Sequence, residues 1–302
     1  MYQSFFGLKE LPFKLTPDTQ FFCGLPTHVE ALNTLIIALE SGEGFIKITG
    51  NVGTGKTMLC RKLLNELGSP FITAYIPNPR LSPTGLHLAI ANEIGIHNAR
   101  KIHPSRLLPV INDFLIFAAQ SQNRPVLIID EAQAMPLETL EALRLLTNLE
   151  TEKQKLLQIV LFGQPELDTL LNFKKIRQLK QRITFSYQLK ELTFKQISTY
   201  LQHRLTIAGA DQNLRFSWLG CLAMAYYSQG IPRLINILAH KALLVAFGRG
   251  KHRVSLSYIH AAARDTEATN QSFILLRCHK VYYLGLIIVS LMSIWTNFWP
   301  IV

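Results

Sequence analysis

One segment constrains the fold of this chain more than any other: Gly50-Asn51-Val52-Gly53-Thr54-Gly55-Lys56-Thr57. It follows a β-rich run at residues 45–49 and precedes a helical pattern at residues 58–67. A Gly-x-x-x-x-Gly-Lys-Thr pattern between a strand and a helix is typical of a phosphate-binding loop, whose backbone N–H groups and helix N-terminus attract anions. We expect the loop and Met58 to bind ATP, with Lys56 on the β- and γ-phosphates and Thr57 on Mg²⁺.

The order of the predicted elements indicates an α/β fold. Apolar strand patterns alternate with helical patterns up to about Glu191, and this alternation is typical of a mostly parallel sheet sandwiched by helices. Beyond that point the strand patterns stop and three or four helical patterns follow. We therefore predict an N-terminal strap laid against the body at residues 1–27, a P-loop α/β domain at 28–190, and a small helical lid domain at 191–270.

Two adjacent carboxylates, Asp130 and Glu131, end the apolar run at residues 126–129. Neighbouring side chains at a strand end point in different directions, so the two can have different roles. We expect Asp130 to hold Mg²⁺, mostly through water, and Glu131 to polarise the attacking water as a general base. Taken alone, the pair would indicate only a cap for the next helix. Together with the phosphate-binding loop, it predicts hydrolysis as well as binding.

Gln164 is a further candidate for the same site. It follows the strand pattern at residues 156–162, which we expect to lie beside the strand that ends at Asp130. Its amide would then contact the γ-phosphate or the attacking water. The alternative is a plain Gly-Gln-Pro turn.

Three arginines are candidates for contact with phosphate. Arg177 and Arg182 lie in a basic stretch at residues 174–182, where either could complete the site of a neighbouring subunit. A solvated basic helix is the alternative. Arg233 begins a predicted helix after Gly230-Ile231-Pro232, and this position favours contact with phosphate from the lid.

Residues 281–299 form an uncharged, strongly apolar segment of nineteen residues. That length just spans a bilayer, and aromatic residues lie at both of its ends. Because Arg277 and Lys280 precede it, the positive-inside rule places the preceding domains in the cytoplasm. We predict a single transmembrane helix. The alternative is a hydrophobic helix that docks on the protein or is buried in an oligomer.

The charge is unevenly distributed along the chain. Residues 1–150 carry 12 Lys and Arg against 13 Asp and Glu, whereas residues 151–302 carry 19 against 7. A basic second half suits an anionic partner such as nucleic acid or a lipid surface, although it could also be a solvated face. Candidate phosphate contacts are Lys174, Lys175, Arg177, Arg249, Lys251 and Arg253.

These features together resemble the AAA+ ATPases. Shorter motifs across about residues 1–268 are similar to those of the ExeA/GspA group of secretion ATPases: Phe5-Phe6-Gly7-Leu8, Leu11-Pro12-Phe13, Pro17-Asp18, His28-x-Glu30-Ala31-Leu32, Phe162-Gly163-Gln164-Pro165-Glu166-Leu167 and Gln181-Arg182-Ile183. By this resemblance Gln164 takes the sensor 1 place, Arg182 the arginine-finger place and Arg233 the sensor 2 place.

The resemblance also implies a biological role. It implies an ATP-dependent homo-oligomer that works with pilus or secretion assembly proteins at the bacterial inner membrane, supporting a type IV pilus of the MSHA kind or a type II secretion apparatus. Two alternatives remain open: a cytoplasmic, DNA-binding AAA+ regulator of the transposition or replication-loader type, and a nucleotide-gated scaffold with negligible hydrolysis.

Overall fold

The structure is a computed structural model that describes residues 2–150, 155–211 and 213–269. The described residues divide into two compact units. We call Thr16–Glu191 the α/β unit, and residues 2–15 together with 192–269 the helical unit.

The elements are numbered along the chain. The helices are α1 (Tyr2–Phe5), α2 (Pro26–Glu40), α3 (Lys56–Glu66), α4 (Pro83–Glu93), α5 (Pro104–Gln120), α6 (Leu137–Leu146), α7 (Glu166–Leu171), α8 (Arg177–Gln181), α9 (Phe194–Ile207), α10 (Trp218–Ser228), α11 (Pro232–Gly248) and α12 (Leu256–Arg264). The strands are β1 (Phe45–Gly50), β2 (Phe71–Ile76), β3 (Arg124–Ile129), β4 (Gln158–Gly163), β5 (Phe185–Leu189), β6 (Arg215–Phe216) and β7 (Arg253–Val254). Short 3-10 turns lie at Thr19–Phe21, Ala99–Lys101, Ala132–Ala134, Lys174–Ile176 and Glu267–Thr269.

The α/β unit contains a parallel sheet in the order β2-β3-β4-β1-β5. This confirms the predicted α/β fold with a parallel sheet. β5, which lies at the edge beside β1, was not predicted from the sequence. Of the residues of β5 only Leu189 is buried, so the strand lacks the buried apolar run that marks the inner strands β1, β3 and β4.

Helices cover both faces of this sheet. Ile46 and Ile48 of β1 pack on one face with α2 and α3, whereas Phe45 packs on the other with α4, α5 and α6. Lys47 alternates onto the face of Phe45, where its buried ammonium pairs with Asp168 of α7. Since parallel strands end together, the carboxyl ends of β1, β3 and β4 bring their following loops to one edge of the sheet.

The helical unit contains α9 to α12, and it also contains a short parallel pair, β6 with β7, which the sequence analysis did not predict. Each of these strands has only two residues, which is too short for a recognisable pattern.

The N-terminal segment predicted as one strap is divided between the two units, because residues 2–15 belong to the helical unit. Arg204 of α9 is 3% exposed and donates hydrogen bonds to the carbonyl oxygens of Pro12 (2.5 Å) and Lys14 (3.4 Å). The Tyr2 hydroxyl lies 2.8 Å from His240 Nδ1. These contacts join residues that are 190 or more positions apart in the chain, and they hold residues 2–15 on α9 and α11.

Across residues 2–150, 155–211 and 213–269, no helix is long and apolar enough to cross a membrane. The predicted transmembrane segment at residues 281–299 lies outside these ranges.

Candidate nucleotide-binding site

The loop between β1 and α3 has backbone that only glycine adopts readily. Gly53 and Gly55 have φ angles of 82° and 102°, in the left-handed region, and Gly55 is the N-cap of α3. A Cβ atom on Gly50 would lie 2.8 Å from Thr54 Oγ1, so the loop is also too tight for a side chain there. The glycines therefore set the curvature that turns the chain from β1 into the N-terminus of α3.

Lys56, the first residue of α3, is 5% exposed. Its Nζ atom donates hydrogen bonds to the loop's own carbonyl oxygens, Gly50 O at 2.7 Å and Asn51 O at 2.9 Å. Burial lowers the pKa of Lys56, and the nearby Glu131, Asp130 and Glu166 partly oppose this effect. The buried ammonium group therefore has neutral carbonyl oxygens as its hydrogen-bond acceptors. Because burying a charge without a counter-charge is unfavourable, an anion bound beside it would stabilise the charged form.

Thr57 and Asp130 form the second part of the site. The Thr57 hydroxyl donates to Asp130 Oδ2 at 2.8 Å, and Asp130 Oδ1 accepts from the Glu131 backbone N–H at 2.9 Å. Asp130 is 3% exposed, and burial raises its pKa, although the hydrogen bond from Thr57 opposes this. A hydroxyl and a carboxylate side by side are oxygen ligands of the kind that Mg²⁺ prefers.

The described part of the chain has no group of three or more His, Cys, Asp or Glu residues that could hold a metal ion. This is compatible with Mg²⁺, which is commonly held by one or two protein carboxylates together with waters and substrate phosphates.

Glu131 and Gln164 are brought together by the pairing of β3 with β4. Glu131 follows β3 by two residues and has φ 54° and ψ 37°, in the left-handed region. Gln164 directly follows β4, and its Nε2 donates to Glu131 Oε2 at 3.2 Å. The ends of β3 and β4 lie side by side as expected, and the two side chains that follow them are in direct contact.

Two residues at the site were not among the sequence candidates. His28 of α2 is 6% exposed, and its Nε2 donates to the carbonyl oxygen of Thr54 at 3.0 Å. Burial lowers the pKa of His28, which favours the neutral ring. A Cβ on Gly55 would lie 3.0 Å from the same nitrogen, so this glycine also makes room for the imidazole. In the sequence, His28 stands out only as part of the family-like motif His28-x-Glu30-Ala31-Leu32.

Gln133 is the second residue at the site that was not among the sequence candidates. Its Nε2 donates to Glu131 Oε2, and its Oε1 accepts from the backbone N–H of Gln164 at 2.9 Å. A lone amide two residues after a carboxylate has no charge or periodicity to mark it, so only the geometry reveals it.

The remaining loop candidates lie around the same turn. Asn51 Nδ2 donates to Glu191 Oε1 at 2.5 Å, and the Thr54 hydroxyl donates to Asn51 O at 2.8 Å. Val52 is 56% exposed, and Met58 is half-buried in the first turn of α3.

The three arginine candidates differ in their surroundings. Arg182 is half-buried, and its Nη1 donates to the Thr147 hydroxyl at 2.8 Å. Arg177, the first residue of α8, is exposed. Arg233 is the second residue of α11 in the helical unit, and it is also exposed.

Residues 39–171 match the model of an AAA domain family. The chain is also 41% identical over 265 residues to general secretion pathway protein A of Aeromonas hydrophila, in an alignment that covers 88% of this chain and 48% of that protein. The chain thus spans about half the length of the curated relative that it matches.

Solved structures support the fold at lower identity. The ORC2 protein of Aeropyrum pernix has a TM-score of 0.60 at 18% identity, covering 84% of this chain and 72% of its own. Cdc6p of Pyrobaculum aerophilum has a TM-score of 0.61 at 20% identity, covering 83% and 68%. RuvB of Thermotoga maritima has a TM-score of 0.55 at 17% identity, covering 83% and 73%. At these identities the likeness concerns the fold alone.

Residues 39–171 are therefore similar to an AAA domain, the chain resembles general secretion pathway protein A over most of its length, and its α/β P-loop fold of the AAA+ type implies nucleotide binding.

Proposed function

We propose that this chain binds ATP with Mg²⁺, hydrolyses it, and supports assembly of a type IV pilus or a type II secretion apparatus at the bacterial inner membrane. The observation that carries the ATPase proposal is the contact of Thr57 with Asp130 at 2.8 Å, made where the phosphate-binding loop meets the strand that ends before Glu131. This arrangement places a hydroxyl, a carboxylate and a candidate base at one edge of the sheet.

Nucleotide binding would use the loop and the start of α3. The loop N–H groups and the helix N-terminus attract phosphate, and Lys56 Nζ would exchange the carbonyls of Gly50 and Asn51 for phosphate oxygens. Thr57 and Asp130 would hold Mg²⁺. The ion would supply positive charge to the β- and γ-phosphates when bound.

Hydrolysis would use Glu131 as the base. Gln133 and Gln164 both donate to Oε2 of this carboxylate, which leaves Oε1 to take a proton from water. The water oxygen would then bond to the γ-phosphorus as the bond from this phosphorus to the bridging oxygen breaks, giving ADP and inorganic phosphate. Gln164 would orient the water or the γ-phosphate.

We also propose that the site is completed by a neighbouring copy of the chain in a homo-oligomer. Arg182 would stabilise transition-state charge in that neighbour, with Arg177 as the alternative, and Arg233 would contact phosphate as a sensor. The contact of Arg182 with Thr147 would hold the guanidinium ready within its own subunit.

Mixing of variant subunits tests the role of Arg182. Arg182→Ala alone and Lys56→Ala alone should each lose ATP turnover, whereas an equal mixture should recover about a quarter of the wild-type rate, because about one in four interfaces in a randomly mixed ring pairs an intact loop with an intact arginine. Phosphate release at fixed total protein measures this.

The matched control is Thr147→Val, which removes the hydroxyl partner but keeps the guanidinium, and which should lower turnover far less than Arg182→Ala does. If the Arg182 mixture stays inactive while an Arg177→Ala mixture recovers, Arg177 is the residue that acts on the neighbour.

The proposed role in assembly rests on the relative and on the sequence motifs. The relative is named as a general secretion pathway protein. On the short sequence motifs alone, we propose that the chain is most like the MSHA pilus biogenesis protein MshM. We propose residues 281–299 as a single membrane-spanning helix that places the ATPase domain at the cytoplasmic face of the inner membrane. A cytoplasmic location is the alternative.

Membrane fractionation with identification of co-purifying proteins tests this role. The full chain should sediment with the inner membrane, resist extraction with high salt, and co-purify with pilus or secretion assembly proteins. Ile288→Arg should release much of it, because a charge at the centre of a span costs about 2.5–3.5 kcal/mol in insertion. Lys101→Ala, a charge change at an exposed position outside that segment, is the control and should leave the protein in the membrane.

A second candidate function is DNA binding, which one observation favours. Arg215 of β6 and Arg253 of β7 are register partners, and both are exposed. The fold therefore places two positive charges side by side, which costs folding free energy. Lys251 and Arg249 are exposed beside them. The solved neighbours include an Aeropyrum pernix ORC1 protein in complex with DNA. A soluble chain that binds DNA with steep salt dependence would replace the assembly role with this one.

A further inference from the structure

The amide of Gln133 is held at both ends. Gln133 lies in the 3-10 turn at Ala132–Ala134, directly after Glu131. Its Oε1 accepts from the Gln164 backbone N–H at 2.9 Å, and its Nε2 donates to Glu131 Oε2. Because a backbone N–H can only donate, it must face the amide oxygen. The amide nitrogen is therefore turned toward the carboxylate, and the orientation of the side chain follows from the chemistry of its partners.

Gln164 closes the arrangement into a cycle. Its own Nε2 donates to the same Glu131 oxygen at 3.2 Å, so three residues are joined by three hydrogen bonds. The cycle links the residue after β4 with the residues after β3. It therefore fixes the distance between two strand ends that carry the candidate base and the candidate sensor.

Glycine at position 163 leaves room for this cycle. A Cβ there would lie 2.7 Å from Leu167 Cδ2 and 3.4 Å from Gln133 Oε1. A larger residue would push Leu167 aside and crowd the oxygen of the amide. The absence of a side chain at Gly163, the last residue of β4, thus leaves the space that the Gln133 amide occupies.

We infer that Gln133 is a positioning residue for hydrolysis, which aims the Glu131 carboxylate and the Gln164 amide at one place. This inference rests on the proposed ATPase activity. Gln133 contacts neither phosphate nor water in this role. It holds Oε2 of Glu131, so that Oε1 faces the attacking water. It also holds the backbone N–H of Gln164, so that the side-chain amide of Gln164 stays beside the same carboxylate. A misplacement of catalytic groups by about 1 Å can cost about 100-fold in rate.

The effect should be on turnover and not on nucleotide affinity. The loop, Lys56 and Thr57 lie outside the cycle and would continue to bind ATP. Gln133→Met keeps the size of the side chain but removes both hydrogen bonds. Gln133→Glu keeps an acceptor for the Gln164 N–H but places a second carboxylate against Glu131. Both variants should lower kcat by about 10- to 50-fold with a change in ATP Kd below about threefold.

The test measures steady-state phosphate release and the affinity for a fluorescent ATP analogue in the full chain. Gln120→Met is the matched control, because Gln120 is exposed at the end of α5 in the same unit. It should match the wild type in both quantities. Equal melting temperatures of the wild type and Gln133→Met would confirm that the variant is folded; if Gln133→Met melts earlier, Gln133→Glu supplies the same comparison.

A second measurement separates positioning from a structural role. If Gln133 acts through Glu131, adding Gln133→Met to Glu131→Gln should cost little further turnover, because the base is already lost. A wild-type kcat in both Gln133 variants, or fully additive losses in the double variant, would overturn the inference. If the wild-type chain itself releases no phosphate with or without its partners, the proposed ATPase function fails first, and this result is distinct from an unaffected Gln133 variant.

Discussion

Glu131→Gln should lower ATP turnover by about 10²- to 10⁴-fold, the range that a general base contributes to a hydrolytic reaction. Glutamine keeps the length of the side chain and the backbone N–H that Asp130 Oδ1 accepts, so the loop and the Thr57–Asp130 contact should survive. ATP affinity should therefore change by less than about threefold, within 0.7 kcal/mol. Single-turnover phosphate release and a nucleotide titration measure the two quantities separately.

Glu138→Gln is the matched control for this prediction. It removes the same charge from an exposed position in the first turn of α6, outside the hydrogen-bonded cycle of Glu131, Gln133 and Gln164. It should leave turnover unchanged. Persistent turnover in Glu131→Gln would assign the base to another residue, and equal losses of turnover and affinity would give Glu131 a structural role instead.

The phosphate-binding loop and the two carboxylates could be predicted because their chemistry is local. The loop needs glycines at φ angles that other residues avoid, and the strand before Asp130 is an unbroken apolar run, so both leave a pattern in consecutive residues. Gln164 could be placed near Glu131 because two buried strands of a parallel sheet end at the same edge.

Other parts depend on contacts that no local pattern records. β5 has mostly exposed residues and is recognisable only by its pairing with β1. The assignment of residues 2–15 to the helical unit depends on Arg204, a buried arginine whose partners include the carbonyls of Pro12 and Lys14. Gln133 is informative only when β3 and β4 bring Glu131 and Gln164 to its two ends.

Lys56→Ala should weaken ATP binding by about 100-fold or more. Two charge-assisted hydrogen bonds to phosphate would be lost, and each is worth about 1.5–3 kcal/mol. A nucleotide titration measures the loss, and the rise in melting temperature that saturating ATP gives to the wild type should be absent at the same concentration. Lys62→Ala is the control on the same helix, since Lys62 pairs with Glu66 on the surface at 2.5 Å.

The same variant should not destabilise the chain in the absence of nucleotide. Burial lowers the pKa of Lys56, which means that the folded state disfavours the ammonium relative to the unfolded chain. At neutral pH, below its pKa in the unfolded chain, the charged lysine therefore costs folding free energy that phosphate would relieve. Lys56→Ala should melt at the wild-type temperature or above it without ATP. A clear drop in that temperature would instead make Lys56 a structural residue that holds the loop through Gly50 and Asn51.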